Sequence, residues 1–220
     1  VNVDFRPFIH VEGVDGADVR QQKVSITEHS AVILTSRNAV DHYFRVCEEM
    51  RFEVPTAMKY YCMSEAIAFY LQKYITYRKR KIYFGKQRFA DLIDTIKKHK
   101  NETFLLPSSD LLKPVIPQLL DDNKINYTRA ILYKTVCSDL SDLEDVLYDI
   151  LVFFSPSGIK SLFQNFPDFV QNDTRIAAFG QTTVKAVAEA GLKVNIEAPS
   201  VKAPSMSMAL EQYIKSANKK

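Results

Sequence analysis

The feature that most restricts the fold is a pattern that occurs twice: a short unbroken apolar run, then hydroxyl residues, then a segment with helical periodicity. Ala31-Val32-Ile33-Leu34 leads into Thr35-Ser36 and then into Ala39, Val40, Tyr43 and Phe44 at helical spacing. Leu151-Val152-Phe153-Phe154 leads into Ser155-Pro156-Ser157-Gly158 and then Ile159, Leu162 and Phe163. An apolar run without alternation reads as a strand buried on both faces, the habit of parallel sheets covered by helices. The hydroxyl that follows is placed to cap the helix. Ser36 matches Ser155, Asn38 matches Ser157, Val40 matches Ile159 and Phe44 matches Phe163. A fainter pair fits the same scheme. Residues 176–183 open a helix carrying Val184, Val187 and Ala188 and stopped by Gly191, and their counterpart at 60–66 opens one carrying Ile67, Ala68 and Leu71. Two similar α/β halves explain this better than one large sheet.

The remaining segments keep the alternation of strand and helix that parallel sheets require. Lys81-Ile82-Tyr83-Phe84-Gly85 reads as a strand followed by a helix over 88–98. Thr103-Phe104-Leu105-Leu106 reads as another, followed by Pro107-Ser108-Ser109-Asp110 and a helix ending near Leu120. Residues 129–136 and 193–197 are β-prone, and Met206, Ala209, Leu210, Tyr213 and Ile214 mark one face of a last helix that Ser205 caps. At the start, Val1, Val3 and Phe5 alternate with polar residues, which predicts a strand ended by Pro7. The chain begins at Val1 in what reads as a strand, so we expect further residues upstream of this numbering.

Composition excludes several classes. With 29 basic and 26 acidic residues the net charge is +3, which gives no support to nucleic-acid binding. No run approaches the roughly 18 apolar residues of a membrane span, and the opening residues lack a signal-peptide pattern, so a cytoplasmic protein is expected. Cys47, Cys62 and Cys137 stand singly, and His10, His29, His42 and His99 show no metal-ligand spacing. We therefore expect neither disulfides nor metal.

The hydroxyls carry the chemical signal. Thr35-Ser36, Ser108-Ser109, Ser155 with Ser157, and Thr182-Thr183 all fall at strand-to-helix turns. In a parallel sheet these turns lie at the carboxyl ends of strands, where ligands bind. Helix N-termini there offer unpaired N–H groups and the positive end of the dipole, which suits carboxylates or phosphates. Any one such Ser or Thr is more simply a helix cap; matched across two repeats, they point to an anion-binding cleft. No Ser occupies a G-x-S-x-G elbow, and no glycine-rich phosphate loop is present.

Thr35-Ser36-Arg37-Asn38-Ala39-Val40, Tyr133-Lys134-Thr135-Val136, Phe153-Phe154-Ser155-Pro156-Ser157-Gly158 and Ala178-Phe179-Gly180-Gln181-Thr182-Thr183 together resemble the uroporphyrinogen-III synthase family. Their order and spacing over nearly the whole chain carry the resemblance. It implies two flavodoxin-like parallel α/β domains joined by a two-stranded β linker, with the active site in the cleft between them. One domain would span 8–137, inserted into a discontinuous domain of 1–7 plus 138–220 whose first βα unit lies upstream of Val1. The crossing strands would lie near 3–7 and 133–137.

The resemblance further implies a lyase of tetrapyrrole (heme, siroheme, cobalamin) biosynthesis. It would close hydroxymethylbilane into uroporphyrinogen III with loss of water and inversion of ring D, and would need no cofactor. Tyr133 matches the tyrosine that helps the hydroxyl leave. Ser36, Asn38, Ser155, Ser157, Gly158, Gly180, Thr182 and Thr183, with Lys113 and Arg175, would contact the carboxylate-rich substrate. One departure stands out: Met63 and Ala66 replace the Gly and Thr that the family often has in the first-half counterpart of Gly180 and Thr183. The expected partners are a small molecule, not nucleic acid or membrane, and a monomer making at most transient contact with neighbouring pathway enzymes. Two other readings fit the same halves, a non-catalytic two-domain binder of small anions and a flavodoxin-like regulatory module.

Overall fold

The computed structural model describes residues 1–86 and 88–218. The chain divides into two compact units: Val11–Thr135, and Val1–His10 together with the chain from Val136 onward. In chain order the elements are β1 (Ile9–Gly13), α1 (Gly16–Gln21), β2 (Ala31–Leu34), α2 (Arg37–Glu49), β3 (Lys59–Cys62), α3 (Glu65–Tyr70), β4 (Ile82–Phe84), α4 (Ala90–Lys97), β5 (Phe104–Ser109), α5 (Val115–Asp122), β6 (Tyr127–Cys137), β7 (Ile150–Phe153), α6 (Pro156–Asn165), β8 (Arg175–Phe179), α7 (Gln181–Glu189), β9 (Val194–Ala198) and α8 (Met206–Ala217).

The contiguous unit is built on a six-stranded sheet in the order β1-β6-β5-β2-β3-β4. The pairings β6-β5, β5-β2, β2-β3 and β3-β4 are parallel. Counted from β2 as the first parallel strand, the order is 3-2-1-4-5, which differs from flavodoxin's 2-1-3-4-5 but keeps the same switch-point logic. The chain winds outward from β2 on one side and returns to β2's other flank through α4 and β5. The reversal falls between β2 and β5, and in open α/β sheets ligands bind at that point, beyond the carboxyl ends of the strands.

The apolar run at 31–34 explains the layering. All four residues are fully buried. Val32 and Leu34 pack with Val40, Tyr43 and Val46 of α2 and with Ile67 and Ala68 of α3. Ala31 and Ile33 pack on the other face with Leu92 and Ile96 of α4 and Ile116 and Leu120 of α5. A Leu34→Ala change would cost about 2–5 kcal/mol, because interior packing does not close around the void.

The second unit repeats the β-α-β-α path on a three-stranded parallel sheet, β7-β8-β9. Ile176 and Ala178 face α6 and α7, while Ala177 faces Met206 and Ala209 of α8. Ser205 caps α8 by accepting from the Met208 N–H at 3.2 Å.

The expected strand at the start of the chain does not form. Residues 1–7 join no sheet, and Val1, Val3 and Phe5 are strongly exposed. Alternation supplies one apolar face but no hydrogen-bonding partner, and a strand needs both. The crossing strand is instead β1, later in the chain, beside β6. The Val14 N–H donates to the Leu132 carbonyl at 2.9 Å and the Ser138 N–H to the Phe8 carbonyl at 3.0 Å. The higher number on one strand meets the lower on the other, so β1 and β6 run antiparallel. Among the described residues no helix is long and apolar enough to cross a membrane.

Candidate active site

In the contiguous unit the candidate residues gather at the reversal point. Ser36 follows β2 in extended backbone (φ −156°, ψ 167°), and its Oγ accepts from the Ala39 N–H at 3.0 Å, so it is the N-cap of α2. The same Oγ lies 3.1 Å from the phenol oxygen of Tyr133. Asn38 is exposed on the first turn of α2, and Lys113 is exposed between β5 and α5, also at the carboxyl edge.

A bulge in β6 explains how Tyr133 reaches Ser36. Ser108 is in register with Ile131, but Ser109 is in register with Tyr133, so β6 carries one extra residue there. Strict alternation would put Leu132 and Tyr133 on opposite faces. With the bulge, Ala130, Leu132 and Tyr133 all join the core beside α2. The phenol is 7% exposed. Burial raises its pKa above the usual tyrosine value, while hydrogen bonds with Ser36 and the Ser109 backbone pull the other way. At neutral pH Tyr133 is a protonated phenol at the edge of the sheet, able to donate a proton or a hydrogen bond.

Two neighbours were not found from the sequence. The His42 ring stacks on Tyr133, with centroids 5.0 Å apart and planes 17° from parallel. Arg129 donates from Nε to Ser108 Oγ at 2.9 Å and from Nη2 to the Ser109 and Asp110 carbonyls at 2.9 and 3.1 Å, which fixes the turn after β5. A lone His in a helix and an Arg in a strand carry no motif.

In the discontinuous unit, Ser155, Ser157, Gly180, Thr182 and Thr183 collect at the carboxyl ends of the adjacent strands β7 and β8. Gly180 holds φ +84° and ψ 148°, a conformation that L residues avoid, and turns the chain into α7. Its carbonyl accepts from the Thr183 N–H at 3.0 Å and the Val184 N–H at 3.1 Å. The Gln181 and Thr182 N–H groups, at the first two positions of the helix, have no intrahelical partner. Thr182 is exposed; Thr183 is 1% exposed and its Oγ1 has no hydrogen-bond partner among the described residues. A buried hydroxyl without a partner is costly, so an acceptor brought to this turn would relieve that cost. Phe154, 64% exposed, sits beside Phe179 at the same edge, with ring centroids 5.9 Å apart.

Two expected contacts sit differently. Arg175 opens β8, at the amino end of the strand, and its Nε donates to the Tyr213 phenol at 3.1 Å. A residue at that end lies a whole strand length from the carboxyl-edge turn. Gly158 is buried with Phe153 Cδ1 3.1 Å from where a Cβ would stand, so its bareness serves helix-to-strand packing. The Met63 turn, counterpart of Gly180, is made without positive φ, and Ser64 precedes α3 in extended backbone. A cavity of about 650 Å³ in this unit, lined by Phe8, Leu151, Phe166, Phe169 and Val170 among others, shares no residue with these turns.

Hydroxyl-bearing turns at the carboxyl ends of two repeated sheets, with a buried phenol on the Tyr133 motif, are thus in place. The family model described as "Uroporphyrinogen-III synthase HemD" matches residues 1–207. The chain belongs to the uroporphyrinogen-III synthase family. A uroporphyrinogen-III synthase of Chlorobaculum parvum is 30% identical over 124 residues, 53% of this chain, and the chain spans about half the length of that curated relative. Among solved structures, the uroporphyrinogen-III synthetase of Helicobacter pylori 26695 matches with a TM-score of 0.63 at 19% identity, over 95% of this chain and 91% of the other. A mutant uroporphyrinogen III synthase of the extreme thermophile Thermus thermophilus matches with a TM-score of 0.54 at 14% identity, over 97% and 88%. At those identities the likeness is one of fold, and it agrees with the α/β class expected from the sequence. The first-half turn carries Met63 and Ala66, so the hydroxyl of Thr183 has no counterpart at Ala66.

Proposed function

We propose that the chain is a uroporphyrinogen-III synthase, a hydro-lyase that closes hydroxymethylbilane into uroporphyrinogen III. The observation that carries this is the Tyr133 phenol, buried, protonated and hydrogen-bonded to Ser36 at the switch point of the contiguous unit. Loss of the substrate hydroxyl leaves an azafulvene on ring A, and a phenol that hydrogen-bonds or protonates the departing oxygen lowers that barrier. The substituted carbon of ring D then attacks, and the resulting spiro-pyrrolenine fragments and recloses with ring D inverted. Much of the catalysis is orientation, since one folded geometry of a flexible four-pyrrole chain must be held. Ser36 and Asn38, with Ser155, Ser157, Thr182 and Thr183, supply hydroxyls, an amide and helix N-termini for substrate carboxylates, with Lys113 adding a charge. This reading leaves out Arg175, at the far end of β8, and Gly158, packed against Phe153. We take the enzyme to be cytoplasmic and monomeric, acting in tetrapyrrole biosynthesis.

The test is incubation with hydroxymethylbilane and separation of the uroporphyrinogen isomers. Predominant type III product is expected. Only the type I ring of unassisted closure would leave an anion-binding protein.

A further inference from the structure

We propose that His42, locked by Arg45, is a positioning residue that sets the ring plane of Tyr133 and hence the direction of its hydroxyl. The proposal rests on the reading of Tyr133 given above and adds what holds the phenol in place.

Two points on Tyr133 are already tied: the oxygen to Ser36, and the ring face to His42. A phenol bonded only at its tip can still rock about its side-chain torsions, and a flat neighbour on the face removes that freedom. The imidazole is itself fixed. Its Nδ1 lies 3.2 Å from Arg45 Nε, and a guanidinium can only donate, so Nδ1 accepts and the ring proton sits on Nε2. This makes His42 a neutral ring of one tautomer.

Arg45 is anchored in turn. Its Nη2 donates to the Val14 carbonyl at 2.8 Å and to the Leu132 carbonyl at 3.1 Å, and its Nη1 pairs with Glu49. Leu132 is the residue that the bulge leaves out of register, immediately before Tyr133. One helix therefore supports the phenol at three places. Ser36 at its cap holds the oxygen, His42 holds the ring, and Arg45 holds the bulged backbone from which the ring springs.

Gly13 provides an independent observation. A Cβ there would stand 2.8 Å from Arg45 Cζ and 2.9 Å from its Nε and Nη2. In its observed place the guanidinium fills the space that a side chain at residue 13 would need. The obstructed atoms are the far end of a flexible chain, so Gly13→Ala displaces Arg45 without forcing a backbone clash.

The experiment measures kcat, KM and the type III to type I ratio with hydroxymethylbilane for wild type, His42→Ala, His42→Phe and Gly13→Ala, each also in a Tyr133→Phe background. His42→Ala is expected to lower kcat about two- to tenfold, the range of an aromatic contact, with KM nearly unchanged and more type I product. His42→Phe restores the flat face and recovers most of kcat. Gly13→Ala reproduces the loss while touching neither phenol nor substrate. In the Tyr133→Phe background none of the three has a further effect, since no hydroxyl remains to be aimed. If Tyr133→Phe is slow but His42→Ala and Gly13→Ala run at the wild-type rate, the positioning role is overturned and the catalytic reading of Tyr133 stands. Equal losses in both backgrounds would make His42 a packing residue. A Tyr133→Phe variant as fast as wild type would overturn the catalytic reading itself, and positioning with it.

Discussion

Thr183→Val is the sharpest perturbation, because its two effects have opposite signs. Thr183 is the third residue of α7, 1% exposed, with an Oγ1 that has no hydrogen-bond partner among the described residues. Valine keeps the β-branched shape and nearly the same helix propensity, and puts a methyl where the hydroxyl stood. Burying a polar group without a partner costs about 1–3 kcal/mol, so removing it should stabilise the unliganded protein by about 1 kcal/mol or somewhat more. For a unit of 60–100 residues that is roughly 4–8 °C in Tm per kcal/mol, readable by calorimetry. Binding should move the other way. A hydrogen bond to a carboxylate contributes about 1.5–3 kcal/mol, so product affinity should fall roughly ten- to hundredfold. Thr182→Val, at an exposed hydroxyl, should weaken binding without raising Tm. A Thr183→Val protein that melts lower than wild type and binds product equally well would refute the reasoning, since the hydroxyl would then have a structural partner and no ligand.

Tyr133→Phe should slow type III formation by a factor near the low end of roughly 10²–10⁴, the usual yield of a general acid, while product binding survives; Tyr127→Phe, outside the motif, serves as control. Isomer analysis over time reads both, and wild-type rates for Tyr133→Phe would leave catalysis to orientation alone. Gly180→Ala should cost about 1–3 kcal/mol in urea unfolding, because φ +84° with ψ 148° strains any Cβ even though the space around it is open; an unchanged midpoint would contradict the strained turn. Burial and the nearby Arg45 cation lower the His42 pKa below its unfolded value of about 6.5, with Asp41 and Glu49 opposing. The unfolded chain therefore binds this proton first, so stability is full above pH ~6.5 and declines as pH falls toward the folded pKa. Urea titrations at stepwise lower pH should show that decline in wild type and less of it in His42→Phe; identical slopes would remove His42 from the balance.

The strands and their order of appearance were legible because burial on both faces leaves an unmistakable mark. Ala31 to Leu34 has no polar residue to interrupt it, and the sheet puts it at its centre. The caps at Ser36 and Ser205 were legible for the same local reason: a hydroxyl just before an apolar helical stripe has one obvious use. Contacts that depend on register were not legible. The bulge between Ile131 and Tyr133 turns the phenol to the face that alternation denies it, and nothing in Ala-Ile-Leu-Tyr-Lys announces an extra residue. His42 meets Tyr133 only because α2 lies over β6 after folding, a pairing distant in sequence that no local pattern encodes. Val1, Val3 and Phe5 misled in the opposite sense, since alternation describes a face and is silent about a partner strand.

The antiparallel pairing of β1 with β6 also bears on the order in which the chain assembles. Phe8 and Ser138 belong to the discontinuous unit, yet the whole inserted unit separates their hydrogen-bonded groups along the chain. Closing a loop of that length from an unfolded chain carries an entropy cost that grows as about (3/2)RT ln n. The contiguous unit contains all of its parallel strands between those points, and once it has folded, β1 and β6 present their outer ends side by side. With the long loop closed by that unit, bringing the two pieces of the second unit together costs little further closure entropy. Ribosomal synthesis delivers the inserted unit whole before β7 emerges, so the direction of translation and the cheaper folding route coincide.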